Sequence, residues 1–287
     1  MNQDYIVPNN WSIIEEGFDP SRVQSSESLF SLGNGAMGQR ANFEEYYSGD
    51  TFQGSYIAGV YYPDKTKVGW WKNGYPEYFA KVLNAPNWIG IHVFVDREPL
   101  DLHSCKSISN YRRELNMKEG WYCRSFQATL PNDSVVKVEA LRFLSLKVDE
   151  VGAIKYSITP MNGNSEITFK PFVDAGIENK DTNWEEKFWE PLQVSESNHQ
   201  GFVTARTLKT HFAVCTFMQN KVSIDDKEID LGFTSEVCEN YISHTYTHQI
   251  KKGETFTIIK FGGYVTSLHH SENDLVSAAK NVLNKVS

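Results

Sequence analysis

From residue 88 onward the chain alternates apolar and polar residues in one short run after another. "WIGIHVFVD" leads, then the turn "REP" and the return run "LDL"; "YCRSFQATL", the turn "PNDS" and "VVKVEALRFLSL" repeat the pattern, and "GAIKYSITP", "SEITFKPFV", "GFVTARTL" and "HFAVCTFMQ" continue it. "NYISHTYTHQI", the turn "KKGE" and "TFTIIKFGGYV" close the series as a hairpin. A period of two sends successive side chains to opposite faces of a strand, so each run buries one face and wets the other. Short β-rich runs separated by turn residues about every 8–12 positions indicate an antiparallel sandwich or barrel. The expected fold is therefore all-β, with two large sheets, and 287 residues are enough to bury a sizeable core.

Two aromatic-rich segments interrupt the rhythm. Residues 59–88 carry Trp70, Trp71, Tyr75, Tyr78 and Phe79, and residues 177–193 carry Trp184, Phe188 and Trp189. Neither alternates for long, so both read as long connections, which usually work or cover something. Flat rings suit sugar stacking, internal packing or a domain interface. Packing or an interface is the stronger reading. The tail "SENDLVSAAKNVLNKVS" differs again. Ser271 and Asp274 have capping-box spacing, and Leu275, Ala279, Val282, Leu283 and Val286 form one apolar stripe at helical spacing. That stripe either packs back on the sheet or, in the preferred reading, awaits residues beyond Ser287.

Charge excludes one class of partner. With 28 basic against 36 acidic residues, a net of -8 and no long run of either sign, the chain has no basic patch for nucleic acid. No segment approaches the ~18 apolar residues of a membrane helix. The start "MNQDYIVPNNW" lacks a basic, then apolar, leader. The expected location is the cytoplasm, with no membrane partner. Cys105, Cys123, Cys215 and Cys238 are far apart and form no C-x-x-C, so buried free thiols are expected.

"SLGNGAMGQRANFEE" places Gly33, Gly35 and Gly38 in G-x-G-x-x-G spacing, with Asp50 following. A dinucleotide cradle would need a buried parallel strand before the glycines and a long helix after them. The preceding "SRVQSSESLF" is mostly polar, and Gly49, Gly54 and Gly59 recur before a helix could form. The motif is thus a tight turn passing close to other backbone. The adjacent pairs Glu15-Glu16, Glu44-Glu45, Glu185-Glu186 and Asp225-Asp226 read as solvated surface, because neighbours on a strand face opposite ways. His244 and His248 sit on a strand roughly 13 Å apart, too far to share one metal ion. No metal site and no self-contained hydrolase motif is expected.

Five blocks, "SLGNGAMGQRANFEE", "YIAGVYY", "NAPNWIGIHVFVD", "RRELNMKEGWYCR" and "LRFLSL", resemble in order the N-terminal domain of glycoside hydrolase family 65, the inverting α-glucoside phosphorylases. "VGWWKNGYPEYFAKVLNAPNW" looks most like the family's maltose phosphorylase branch. The similarity runs from about Trp11 to Val265, with alanines at positions 36 and 41 where the family commonly has an aromatic residue and a glycine. The resemblance implies a β-supersandwich of the galactose mutarotase type over residues 1–267. Residues 268–287 would begin a helical linker to an (α/α)6 catalytic barrel. It also implies that no catalytic residue lies in this chain, that phosphate is a co-substrate, that no metal or organic cofactor is needed, and that the enzyme is a homodimer. The reaction expected of the whole enzyme converts maltose and phosphate to β-glucose 1-phosphate and glucose, with kojibiose, nigerose and trehalose as other candidate disaccharides. On this reading Gly33, Asn34, Gly35, Gly38, Arg40 and Asn42 form a rigid edge facing the barrel, and Trp70, Trp71 and Tyr75 cover its mouth or a dimer mate. Two rivals remain: a carbohydrate-binding module that works alone, and an aldose mutarotase-like enzyme using a His/Glu pair.

Overall fold

The structure, a computed structural model, describes residues 5–66, 74–179 and 187–286. Trp70, Trp71 and Trp184, and the pair Glu185-Glu186, lie outside the described residues.

Alternation becomes two antiparallel sheets. In the eleven-stranded sheet the order is Ile6–Pro8, Ser12–Glu16, Ser107–Asn116, Trp121–Thr129, Val135–Leu144, Val151–Pro160, Phe256–Thr266, Ala213–Ile224, Gln200–Thr207 and Trp189–Ser197, with Lys227–Ile229 also paired to Ala213–Ile224. The five-stranded sheet runs Thr234–Cys238, Tyr241–Ile250, Ser165–Asp174, Ile91–Val95 and Glu98–Pro99. Val135–Leu144 shows the cause most plainly: Val136, Val138, Ala140, Arg142 and Leu144 are buried, while Lys137, Glu139 and Arg142's neighbours Leu141 and Phe143 face out. A one-residue slip would reverse both faces, so burial sets the register.

The sheets meet face to face as a sandwich. Phe169 of the smaller sheet stacks on Phe256 of the larger at 4.7 Å and meets Tyr156 edge-on at 5.9 Å. The buried amine of Lys260 spans the same gap and donates to Gly90 O at 2.8 Å and Phe172 O at 2.7 Å. Burial pushes its pKa well below the usual lysine value.

Some elements depart from the alternation. The return strand after "WIGIHVFVD" is Glu98–Pro99, not "LDL". Ser107–Asn116 and Trp189–Ser197 are full strands that the pattern did not single out, and Trp189–Ser197 begins inside one of the expected connections. The other connection contains a two-stranded ribbon, Tyr61–Lys65 with Tyr78–Val82, because Tyr62 and Asp64 turn inward while Tyr61 and Lys65 turn out. Cys105 and Cys123 are half-buried, Cys215 is buried and Cys238 is exposed; all four are free thiols. Cys238 therefore corrects the expectation of burial, since its edge strand is exposed throughout.

The tail helix, Leu275–Leu283, is already covered. Leu275, Ala279, Val282 and Leu283 pack on Val151, Phe202, Ala213, Cys215, Phe217 and Val265, on the outer face of the large sheet. The apolar stripe therefore does not await absent residues. Ser271 caps a single 3-10 turn, Glu272–Asp274, through its backbone, and its hydroxyl makes no capping bond. The expected capping box is not formed.

Candidate functional site

The glycine motif is a hairpin in a small three-stranded sheet, Leu32–Gly33, Met37–Gln39 and Ser55–Ile57, with Gly33 opposite Gly38. Asn34 builds the turn. Its Oδ1 accepts from the amides of Ala36 at 3.1 Å and Met37 at 2.9 Å, and its Nδ2 donates to Ser145 O at 2.8 Å and Asp149 O at 2.9 Å. One side chain thereby closes the hairpin and ties it to the loop after Val135–Leu144. Gly35 adopts φ +91°, where an L side chain is strained. Gly33 and Gly38 do not need to be glycine, because a Cβ at either would meet its nearest neighbour at 3.8 Å, an ordinary contact. The expected close approach of backbone is absent at all three. Gly35→Ala should cost about 1–2 kcal/mol, against less than about 1 kcal/mol for alanine at Gly33 or Gly38, as read by urea denaturation.

Asn42 is buried, whereas the Arg40 side chain is 19% exposed and stands at the rim of an outer cavity. Arg40 donates to Gln24 O at 3.1 Å and lies 3.8 Å from Glu27. Asn42 donates to Phe52 O at 2.9 Å and accepts from Gly54 N at 3.1 Å. Glu27 in turn accepts from Thr51 Oγ1 and from Phe52 N.

Behind this hairpin lies a buried ionic ladder that the sequence reading missed. Arg113 and Arg124 sit directly opposite each other on neighbouring strands, and Arg142 lies opposite Tyr122 one strand further on, all on the inner face. Arg124 grips Glu45 with two nitrogens and reaches Glu44 at 2.8 Å; Arg142 pairs with Glu44 and donates to Arg40 O at 3.1 Å and Asn42 O at 2.7 Å; Arg113 pairs with Glu15 at 2.8 Å. Glu15, Glu44 and Glu45 are therefore not solvated surface. Asp225-Asp226 is an exposed turn, as expected. Burial alone would raise the Glu44 pKa, but Arg142 and Arg124 outweigh it and hold the carboxyl down to about 2. At Glu15 burial wins over Arg113 and the pKa rises. The missed signal was the arginines themselves: in "YRREL", "YCRSF" and "LRFL" each occupies an inward position, and a buried cation demands a carboxylate.

On the outer side the hairpin borders three cavities that share walls. The first, about 350 Å³, is lined by Asn34, Ala36, Met37, Asp149, Glu150 and His269. Beside it His270 Nε2 lies 2.6 Å from Glu150 Oε1. The second, about 490 Å³, is mostly apolar and runs along Gly38, Tyr56, Val60, Tyr61, Ala80 and Val82. The third, about 360 Å³, continues past Arg40, Phe79 and Asn179. Tyr61, Phe79 and Val82 line these cavities and stand exposed, Val82 at 64%, and Tyr75 and Tyr78, just before Phe79 in the chain, are exposed as well. A row of exposed aromatic and aliphatic side chains beside an apolar groove is the kind of surface that marks an interaction site.

The histidine pair is separated as expected. His244 is fully buried beside Asn220, whereas His248 is half-buried near Phe256. Among the described residues no group of three or more His, Cys, Asp or Glu side chains converges on a metal-sized point. Among them, too, no helix is long and apolar enough to cross a membrane.

Comparison with known proteins places this architecture. Residues 13–287 match the family model "Glycosyl hydrolase family 65, N-terminal domain". A maltose phosphorylase of Bacillus subtilis (strain 168) is 40% identical over 283 residues, covering 99% of this chain and 37% of that protein. An α,α-trehalose phosphorylase of Thermoanaerobacter brockii is 29% identical over 291 residues, covering 96% of this chain and again 37% of the relative. A solved structure described as a putative kojibiose phosphorylase from the human microbiome shares the fold with a TM-score of 0.85 at 22% identity, over 99% of this chain and 36% of that one. The chain thus spans a little over a third of the length of each of these three relatives. It belongs to glycosyl hydrolase family 65, whose N-terminal domain it matches over nearly its whole length.

Proposed function

We propose that this chain is the scaffold and docking module of a disaccharide phosphorylase of the maltose type, built as a β-supersandwich on the galactose mutarotase plan. The observation that carries the reading is the 40% identity to a maltose phosphorylase across 99% of the chain, which nevertheless accounts for only 37% of that enzyme. In this reading an (α/α)6 barrel elsewhere in the protein supplies the chemistry. One carboxylic acid there protonates the glycosidic oxygen while inorganic phosphate attacks the anomeric carbon from the opposite face. Maltose would yield β-glucose 1-phosphate and glucose, with phosphate as co-substrate and no metal or organic cofactor. The enzyme would work in the cytoplasm as a homodimer, and residues 268–287 would lead toward the barrel.

The groove along Tyr61, Ala80 and Val82 is the surface assigned to that barrel, with Gly33, Asn34, Gly35 and Gly38 as its stiff border. Asn42 supports it from inside, and Arg40 lines the adjoining cavity. In the complete enzyme, Val82→Asp should lower phosphorolysis about tenfold or more, because a carboxylate would be desolvated in an apolar contact. The chain alone should release no glucose 1-phosphate from maltose and phosphate and should not speed glucose mutarotation in a polarimeter. Turnover by the purified chain, or a Val82→Asp enzyme with normal kinetics and normal mass, would overturn the proposal.

A further inference from the structure

The outer face of the large sheet is apolar in two places. The first is covered by the tail helix Leu275–Leu283. That helix has a direction: Glu272, in the turn before it, lies 3.7 Å from Arg206, and Lys280, near its end, sits over the Phe202 ring at 5.6 Å. It therefore runs from the level of Arg206 toward that of Phe202 and the register partners Phe217, Gly263 and Val151. Two residues further on in each strand, side chains return to the same face. The register row there reads Gln219, Phe261, Ala153, Phe143 and Trp121 across five strands. Phe261 and Val286, the last described residue, both pack against the cluster under the helix. The described chain thus ends beside the cluster from which this row starts.

The row is the second apolar place. Phe143 is 41% exposed and Leu141, on the same face, 36%. Trp121 lies opposite Phe143 on the neighbouring strand, and its Nε1 donates to Glu119 at 2.8 Å. The one polar atom of the indole is therefore satisfied, and its ring is left for apolar contact. Further along the same strands the outer face turns polar, at Arg112, Ser125 and Glu139. Contiguous exposed apolar side chains on an otherwise polar face mark an interaction site.

Geometry narrows the occupant. The row lies on the faces of inner strands, whose backbone groups are already paired, so whatever covers it must satisfy its own backbone hydrogen bonds, as a helix does. From Phe261 to Trp121 there are three strand spacings, about 14 Å, the length of a helix of about ten residues. The chain matches the N-terminal domain of its family and accounts for 37% of the maltose phosphorylase it resembles, which leaves a long continuation to supply that helix.

We propose that the row Trp121, Phe143 and Phe261, with Leu141, is the seat of an amphipathic helix formed by the residues that follow position 287, laid across the sheet beside Leu275–Leu283. The proposal rests on the reading of this chain as the front part of a longer phosphorylase. Its surface shares no residue with the cavities along the glycine hairpin.

The test uses the complete protein, with p-benzoyl-phenylalanine installed at position 143 and irradiated. Crosslinks should map by mass spectrometry within about 25 positions after residue 287, which allows a connecting turn of about 2–8 residues before the helix. The same label at position 137, about 20 Å away along the strand, should give no more than about a tenth of that yield. Carbene footprinting of the unmodified protein guards against displacement by the label. Relative to the urea-unfolded protein, Leu141 and Phe143 should be labelled at least about tenfold less, as core residues are. Crosslinks to a second copy, to a region further along the protein or only within residues 1–287, no crosslink, or labelling in line with the 36% and 41% exposure seen in this chain would overturn the assignment. Neither readout depends on turnover, so a complete protein that fails to phosphorolyse maltose leaves this proposal standing, and normal phosphorolysis does not rescue it.

Discussion

Arg124→Ala should destabilise the domain by about 3–5 kcal/mol, the range expected when one partner is removed from a buried ion pair. Arg124 is fully buried, contacts both Glu44 and Glu45, and lies over the Phe43 ring at 4.6 Å. Its loss leaves Glu45 without its guanidinium partner and Glu44 with Arg142 alone. Urea denaturation at neutral pH measures the effect. A change below about 1 kcal/mol would mean that water or rearrangement replaces the guanidinium.

The same ladder fixes a pH signature. The Glu44 carboxyl is held down to about 2 from an ordinary 4.5, so it binds its proton less readily in the folded than in the unfolded chain. The stability it contributes is complete above about pH 4.5 and is lost as pH falls toward about 2. Glu15 and Glu27 are shifted the other way by burial, so their contributions run opposite in sign and grow as pH falls. The difference between wild type and Glu44→Gln isolates the first effect. That difference should shrink steadily across the stated window, and a pH-independent difference would contradict the pairing.

Trp88→Ala should be comparably damaging, about 3–5 kcal/mol, through a cavity instead of a stranded charge. Trp88 is fully buried just ahead of Ile91–Val95. Its indole lies over Gly152 and Gly262, which oppose each other across neighbouring strands of the large sheet. A Cβ at either glycine would come within 2.7 Å of the ring, so the two glycines form the floor on which the indole rests. Gly262→Ala should therefore cost about 1–3 kcal/mol by overpacking, and Trp88→Phe should recover much of the stability lost in Trp88→Ala. Thermal melts of the four proteins check both statements. An unchanged Gly262→Ala melt would show that the indole can shift freely.

Strand periodicity was readable wherever one face was apolar and the other polar. "VVKVEALRFLSL" needs no partner to declare its inner face, because the difference between Val and Lys in their cost of burial is local to each residue. Ser107–Asn116 escaped notice because its inner positions include Arg113, and an arginine counts as polar until its carboxylate partner is known. Glu15 stands 98 positions earlier in the chain, and Glu44 reaches Arg142 across the same separation, 98 residues. The tail helix was legible as a helix by its spacing, but not in its destination. Only the outward-facing Phe202, Cys215, Phe217 and Val265, drawn from three strands, show that its stripe has a seat within the chain.

The sequence by itself determined the all-β class, most of the long strands and the membership of family 65, because alternation and ordered blocks are properties of neighbours along the chain. Only the tertiary structure decided that Glu44 and Glu45 are core residues and that Asn42 is buried while Arg40 stands at a cavity rim. Those outcomes depend on free energies of pairing and desolvation between groups far apart in sequence. Such energies exist only once the sheets have brought the groups together.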